Sequence, residues 1–175
     1  MATPTKDTPP TRHKTAAPKP GSKPTGHMDA VDVLMADHRE AEAVFEAFEK
    51  AKSPDRKKAL ADKVCLALKA HMQAEEEIFY PETRAEGVDE DKLNEGIVEH
   101  EAAKKLIAEI EEMDPEDELY DAKVHVLSEE IEHHVKEEEE EDGIFAQARK
   151  NEDVDLNEMA TRIKERIEEL KSELH

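Results

Sequence analysis

Cysteine occurs once, at Cys65, so no disulfide can form within the chain, and nothing in the cysteine usage points to an oxidising compartment. Its place beside the apolar Val64 reads as that of a small, half-buried hydrophobe. No apolar stretch approaches the ~20 residues that a bilayer span needs, and the N-terminus lacks the apolar segment of a secretory signal. The cytoplasm is the expected location. Aromatic residues are scarce, and no alternating, strand-like run interrupts a pattern rich in Ala, Glu, Lys and Leu. There is no phosphate-binding glycine loop, no nucleotide fingerprint and no nucleophile–base arrangement. Positive charge is in deficit: the net charge of −21 argues against nucleic acid and anionic membrane surfaces as partners of the folded part.

What is present divides into three stretches. Residues 1–27 hold six of the nine prolines and five basic residues against one acid, a net of +4, so the remaining chain carries −25. With almost no apolar content this basic, Pro-rich tail is expected to be disordered, with His13 and His27 exposed. It could tether electrostatically to the acidic body or to an anionic partner. Residues 28–150 carry four helical patterns. The first spans about Asp29 to Lys52. The second opens at Ser53-Pro54-Asp55, an N-cap followed by proline in the first helical position, and ends at Tyr80-Pro81. A loop around Gly87 leads to the third, about Asp89 to Met113. Asp114-Pro115-Glu116-Asp117 repeats the cap signal and opens the fourth, which runs to about Lys150 and loosens at Gly143. Short connections predict an all-α, up-down-up-down four-helix bundle. Residues 151–175 form an extra C-terminal helix, about Asp155 to Leu174, whose apolar face packs on the outside of the bundle or, as the second option, against another subunit.

Each of the four apolar stripes is interrupted by one histidine. They read Val31-Leu34-His38-Ala41-Phe45-Phe48, Val64-Leu68-His71-Glu75-Ile78, Leu93-Ile97-His100-(Ala103/Lys104)-Ile107 and Val124-Leu127-Ile131-His134-Glu138. Steps of three and four keep each stripe on one helix face, where an imidazole needs a partner. Two of the histidines are followed by glutamate at i+4, stacked above them on the same face. Four imidazoles and two carboxylates aimed at one interior describe a two-metal site with His38, His71, Glu75, His100, His134 and Glu138 as ligands. The stripe selects His134 over its neighbour His133 and Glu138 over Glu137 and Glu139; the rest of the acidic run to Asp142 reads as a solvated face. His125 points away and His175 is uninformative. The second and fourth helices repeat one motif, His71 to Glu75 matching His134 to Glu138, which is a natural way to hold two metals about an approximate two-fold axis. Mixed imidazole and carboxylate donors without thiolate suit Fe, Mn or Zn. Phe45, Phe48, Phe79 and Phe145 fit either the approach to the site or the core, and the periodicity places neither Tyr80 nor Tyr120.

At Asp37-His38-Arg39, His71 to Glu75 with Ile78-Phe79-Tyr80-Pro81, Glu99-His100-Glu101, and His134 to Glu138 with Ile144-Phe145, the chain resembles the hemerythrin-like family, the HHE cation-binding domain. The resemblance covers about residues 28–150. It implies a non-haem di-iron centre, oxo- or hydroxo-bridged, that engages O2 or a related small oxidant such as peroxide or NO. Carried over by position, the two iron ions would sit on the six residues named above. The oxygen carriers of the family have a further histidine where this chain has Lys104, and commonly an aspartate where it has Glu138. The missing histidine implies a second open position on the metal pair, which favours reactivity or exchange over reversible carriage. Lys104 is expected to reach to the bundle end, the alternative being that it joins the metal. The function implied is binding or sensing of the small oxidant. Its rivals are a peroxidase- or catalase-like di-iron enzyme, an iron store or iron sensor, and a plain structural bundle. The ferritin-like motif, Glu-x-x-His on paired helices, is absent from the core stripes.

Overall fold

Asp29 starts the first helix by accepting from the Asp32 amide at 2.8 Å while the Asp32 carboxylate accepts from the Asp29 amide at 3.1 Å, a reciprocal cap. The computed structural model describes residues 28–174, which are all-α. The expectations placed on the tail 1–27 and on His175 lie outside the described residues. Helix α1 spans Ala30–Lys50. Helix α2, Pro54–Ala74, opens as expected on Ser53, whose hydroxyl accepts from the Arg56 amide, with Pro54 in the first turn.

At its far end the expectation fails: the helix does not stop at Tyr80-Pro81. A π turn, Glu75–Phe79, carries it into α3, Tyr80–Ala85. A proline inside an α-helix loses one hydrogen bond and crowds the carbonyl four residues back. Just before Pro81 the chain takes a wider turn, in which the Tyr80 amide reaches five residues back to the Glu75 carbonyl, and the axis continues. Gly87, at φ 84°, then ends α3. Its amide donates to the Arg84 carbonyl and that of Val88 to the Thr83 carbonyl, the paired bonds of a left-handed helix stop.

Helix α4, Glu90–Glu112, is capped by Asp89, which accepts from the Asp91 and Lys92 amides. The fourth helix, α5, departs from expectation at both ends. It runs Tyr120–Glu139 with no side-chain cap, because Asp114 to Asp117 satisfy one another in a separate turn: Asp117 accepts from the Asp114 amide and Asp114 from that of Glu116. At Gly143 the chain breaks outright rather than loosening. A Cβ there would run into the carbonyl oxygens of Glu137 and Glu138. The break lets α6, Ile144–Lys150, turn Ile144, Phe145 and Ala148 back into the core. Helix α7, Leu156–Glu173, capped by Asp155, buries Met159, Ile163, Ile167 and Leu170 against α1 and α2. It lies outside the up-down-up-down bundle of α1, α2, α4 and α5.

The core is split. One apolar cluster gathers Leu34, Phe79, Leu93, Phe145 and the inner face of α7; the other gathers Phe45, Phe48, Leu68, Ile107, Tyr120 and Leu127. Along every stripe the histidine stands at the passage from one cluster to the other, so a polar layer crosses the bundle between them. No described helix is long and apolar enough to cross a membrane.

Candidate metal centre

That layer contains all six residues singled out by the stripes. Glu75 is fully buried, and His38, His71, His100, His134 and Glu138 are no more than 4% exposed. The imidazoles meet in two pairs: His38 Nε2 lies 3.1 Å from His71 Nε2, and His100 Nε2 lies 3.1 Å from His134 Nε2. Two nitrogens at right angles on one metal, each ~2.1 Å from it, stand about 3.0 Å apart. Glu75 Oε2 sits between the pairs, 3.3 Å from His71 Nε2 and 3.4 Å from His100 Nε2. Glu138 Oε2 straddles them from the other side, 3.5 Å from both His38 Nε2 and His134 Nε2. His133 and His125 face solvent, as their stripe positions predict.

The inward direction of the four Nε2 atoms is set by carboxylates that the stripes did not single out. His38 Nδ1 donates to Glu139 at 2.8 Å, His71 Nδ1 to Asp37 at 3.4 Å, His100 Nδ1 to Glu76 at 2.9 Å and His134 Nδ1 to Glu99 at 2.6 Å. Each carboxylate adjoins a member of the layer on its own helix and serves the histidine of the next, so the four form a closed ring around the bundle. A carboxylate can only accept, so Nδ1 carries the proton and Nε2 can offer a lone pair inward. Glu139 therefore does not belong to a solvated face, which corrects the reading of the acidic run. Lys104 neither reaches the bundle end nor joins the histidines. Its ammonium lies 2.7 Å from both oxygens of Glu76 and braces that carboxylate, as Arg39 braces Glu139.

Tyr80 is one of the two tyrosines that the periodicity left unplaced. The π turn directs it inward: on an unbroken α-helix it would lie about 140° from Glu75. Its hydroxyl donates to Glu138 Oε1 at 2.8 Å, and its ring stacks on His100. Room for it comes from Gly96 on α4, where a Cβ would stand 2.6 Å from the hydroxyl oxygen. Tyr120 lies at the other end of the bundle beside Phe48. Of the four phenylalanines, Phe145 stacks on His38 and meets Phe79 edge-on at the site, whereas Phe45 and Phe48 belong to the second apolar cluster.

The electrostatics call for positive charge at the centre. Burial would lower the His71 imidazole, but the charge of Glu75 and the bond to Asp37 push it up to about 10. Burial is likewise outweighed at His134, by Glu138 and Glu99, which push it up to about 9. Burial would raise Glu75, yet His71 and His100 hold it well below the usual carboxylate range. Burial and the facing charge of Glu75 push Glu138 up. Both oxygens of Glu75 and Oε2 of Glu138 are buried without a hydrogen-bond donor. Unpaired buried carboxylate oxygens are costly, and a bound cation is what this donor set would satisfy. Metal-compatible groupings are His38, His71, Glu75 and Glu138 on one side and Glu75, His100 and His134 on the other, with Glu75 common to both. A cavity of about 60 Å³ leads to the layer between α4 and α5, walled by Tyr80, Gly96, Glu99, His134 and Glu138.

A helical bundle crossed by a buried layer of paired histidines and shared carboxylates defines a cation-binding protein by class. The chain belongs to the hemerythrin family, described as the hemerythrin HHE cation-binding domain, whose profile matches residues 29–145. Among solved structures, a hemerythrin HHE cation-binding domain-containing protein from Mycobacterium kansasii superposes with a TM-score of 0.68 at 18% identity, covering 83% of this chain and 89% of that one. Among curated proteins, a DNA nickase from Nostoc sp. strain PCC 7120 is 27% identical over 124 residues, 71% of this chain. The match takes in 34% of that protein, so this chain spans about a third of its relative's length.

Proposed function

We propose that the protein is a non-haem di-iron protein that binds or senses O2 or a related small oxidant, peroxide or NO, in the cytoplasm. The observation that carries this reading is the pair of 3.1 Å Nε2···Nε2 contacts flanking one donor-free carboxylate, Glu75. His38 and His71 would hold one ion, His100 and His134 the other, with Glu75 and Glu138 shared. Iron at that place would supply one-electron chemistry and bind a small ligand; zinc would supply no redox step. The chain's own groups do the rest. Asp37, Glu76, Glu99 and Glu139 hold the imidazoles in register. Phe79 and Phe145 wall the site with apolar rings, and Tyr80 keeps a hydroxyl proton at Glu138 Oε1. The cavity admits a few waters or a diatomic molecule. Organic substrates occupy pockets of roughly 300–1,000 Å³ and are too large for it.

The experiment is metal analysis with an optical spectrum of aerobically purified protein. About two irons per chain and a near-ultraviolet band that shifts with azide are expected; zinc, or no metal, overturns the proposal. A peroxide-consuming enzyme is the second reading. It is favoured by Lys104, which is drawn out to Glu76 and would therefore leave a coordination position free on a bound metal. Oxygen evolution on adding peroxide, lost in His71→Ala and His134→Ala, would establish it. The relative's name raises action on DNA, against which the net charge of −21 weighs. No retardation of duplex DNA in a gel at 0.15 M salt is the expected result.

A further inference from the structure

Outside the buried layer, Glu99, His133 and Glu137 bring one ligand atom each to within 4.8 Å of one another. His133 Nε2 lies 3.2 Å from Glu137 Oε1 and 3.6 Å from Glu99 Oε1. Glu99 faces two ways: Oε1 joins this outer group, while Oε2 accepts the His134 Nδ1 proton at 2.6 Å. Glu99 and Glu137 also line the mouth of the 60 Å³ cavity, whose inner wall includes His134 and Glu138. Glu138 is 4% exposed, and its Oε2 has no hydrogen-bond donor. The remaining charges at the mouth are Glu95 and the Lys92–Glu140 pair, joined at 3.0 Å, so the uncompensated charge there is negative.

The internal repeat shows that this grouping is confined to one half of the bundle. His134 and Glu138 match His71 and Glu75, so His133 and Glu137 match Ala70 and Ala74. Those two alanines are fully buried, on the helix against which α7 packs. On the side of α4 and α5 that α7 leaves uncovered, the matching positions carry an exposed imidazole and a half-buried carboxylate.

We propose that Glu99, His133 and Glu137 form a surface capture site for divalent cations, which exchange their waters there and pass along the cavity to the buried centre. An imidazole and two carboxylates suit Fe2+, Mn2+, Co2+ and Zn2+ alike. Negative charge at a narrow mouth raises the local concentration of cations and their rate of arrival. The inference rests on the reading of the six buried residues as the metal centre.

The test follows Co2+ uptake by the full chain, stripped of metal with a chelator, in stopped-flow absorbance. The variant His133→Ala/Glu137→Gln is compared with His125→Ala/Glu129→Gln. The latter removes an exposed pair of the same kind, 3.7 Å apart on the same helix but away from the cavity. Wild type and the His125 control should fill at one rate to about two cobalts per chain, with the His133 variant reaching the same content about ten-fold more slowly. A His133 variant that fills as fast as wild type overturns the capture site and leaves the buried centre standing. A variant that ends with less metal also overturns it, since the two positions would then act on the centre itself. Wild type that takes up no cobalt overturns both.

Discussion

At His134 the Glu99 oxygen, 2.6 Å from Nδ1, decides which ring nitrogen faces the interior, and the other three histidines are oriented the same way by Asp37, Glu76 and Glu139. Removing such a support typically weakens metal affinity 10–100-fold without touching a ligand. Glu76→Ala, which also frees Lys104, is expected to lose about that much in a competitive metal titration while its helical circular dichroism stays unchanged. Gly96 poses the opposite question of sign. Inside a helix, Gly→Ala ordinarily gains about 1 kcal/mol. Here the new methyl would meet the Tyr80 hydroxyl at 2.6 Å, and overpacking a core costs about 1–3 kcal/mol. Gly96→Ala should therefore be neutral to destabilising in urea melts, and it should alter the ultraviolet spectrum of Tyr80 as the bond to Glu138 breaks. Cys65 gives a third check. Burial pushes its thiol up to about 12, so at pH 8 it stays protonated and does not react with a thiol reagent until denaturant is added.

Among the elements, boundaries were legible wherever a cap is local. Asp29, Ser53, Asp89 and Asp155 each bond to an amide two or three residues on, and the helices they open begin within a residue of expectation. The six members of the layer were legible because the stripes place them on inward faces. What escaped the sequence depends on partners far along the chain or on uncommon hydrogen bonding. A helical period cannot reveal that the Tyr80 amide reaches five residues back, and so Tyr80 could not be placed. Asp114-Pro115-Glu116-Asp117 is equally good as an N-cap and as a self-contained turn, and the burial of Tyr120 moves the helix start to itself. The ring of carboxylates lies on the shoulders of the stripes, each serving a histidine on another helix. Helix α7 was read from its apolar face, and that face sets its prediction. Ile163 is fully buried, so Ile163→Ala should cost about 2–5 kcal/mol in urea unfolding, with the loss felt through α1 and α2.

Across the whole molecule, a layer of two carboxylates and four imidazoles separates two apolar clusters that would otherwise be continuous. Without a cation, three carboxylate oxygens in that layer have no donor, and two carboxylates face each other in a medium that screens them poorly. The same groups become favourable once positive charge sits between them, so a cation bound there would couple its binding to folding. An ion present at a thousand times its dissociation constant adds about 4 kcal/mol to the folded state. In a domain of this size each kcal/mol moves the melting temperature by about 2–4 °C. Two ions, bound as proposed, should thus raise it by about 15–30 °C over protein stripped with chelator, and scanning calorimetry of the two forms measures the difference directly. The increment should survive 0.5 M salt, because ions bound by buried donors are little affected by screening, whereas a cation loosely held by the acidic surface would be displaced. Equal melting temperatures with and without metal would mean that the layer folds as a purely structural hydrogen-bonded network and that the protein is a plain helical bundle.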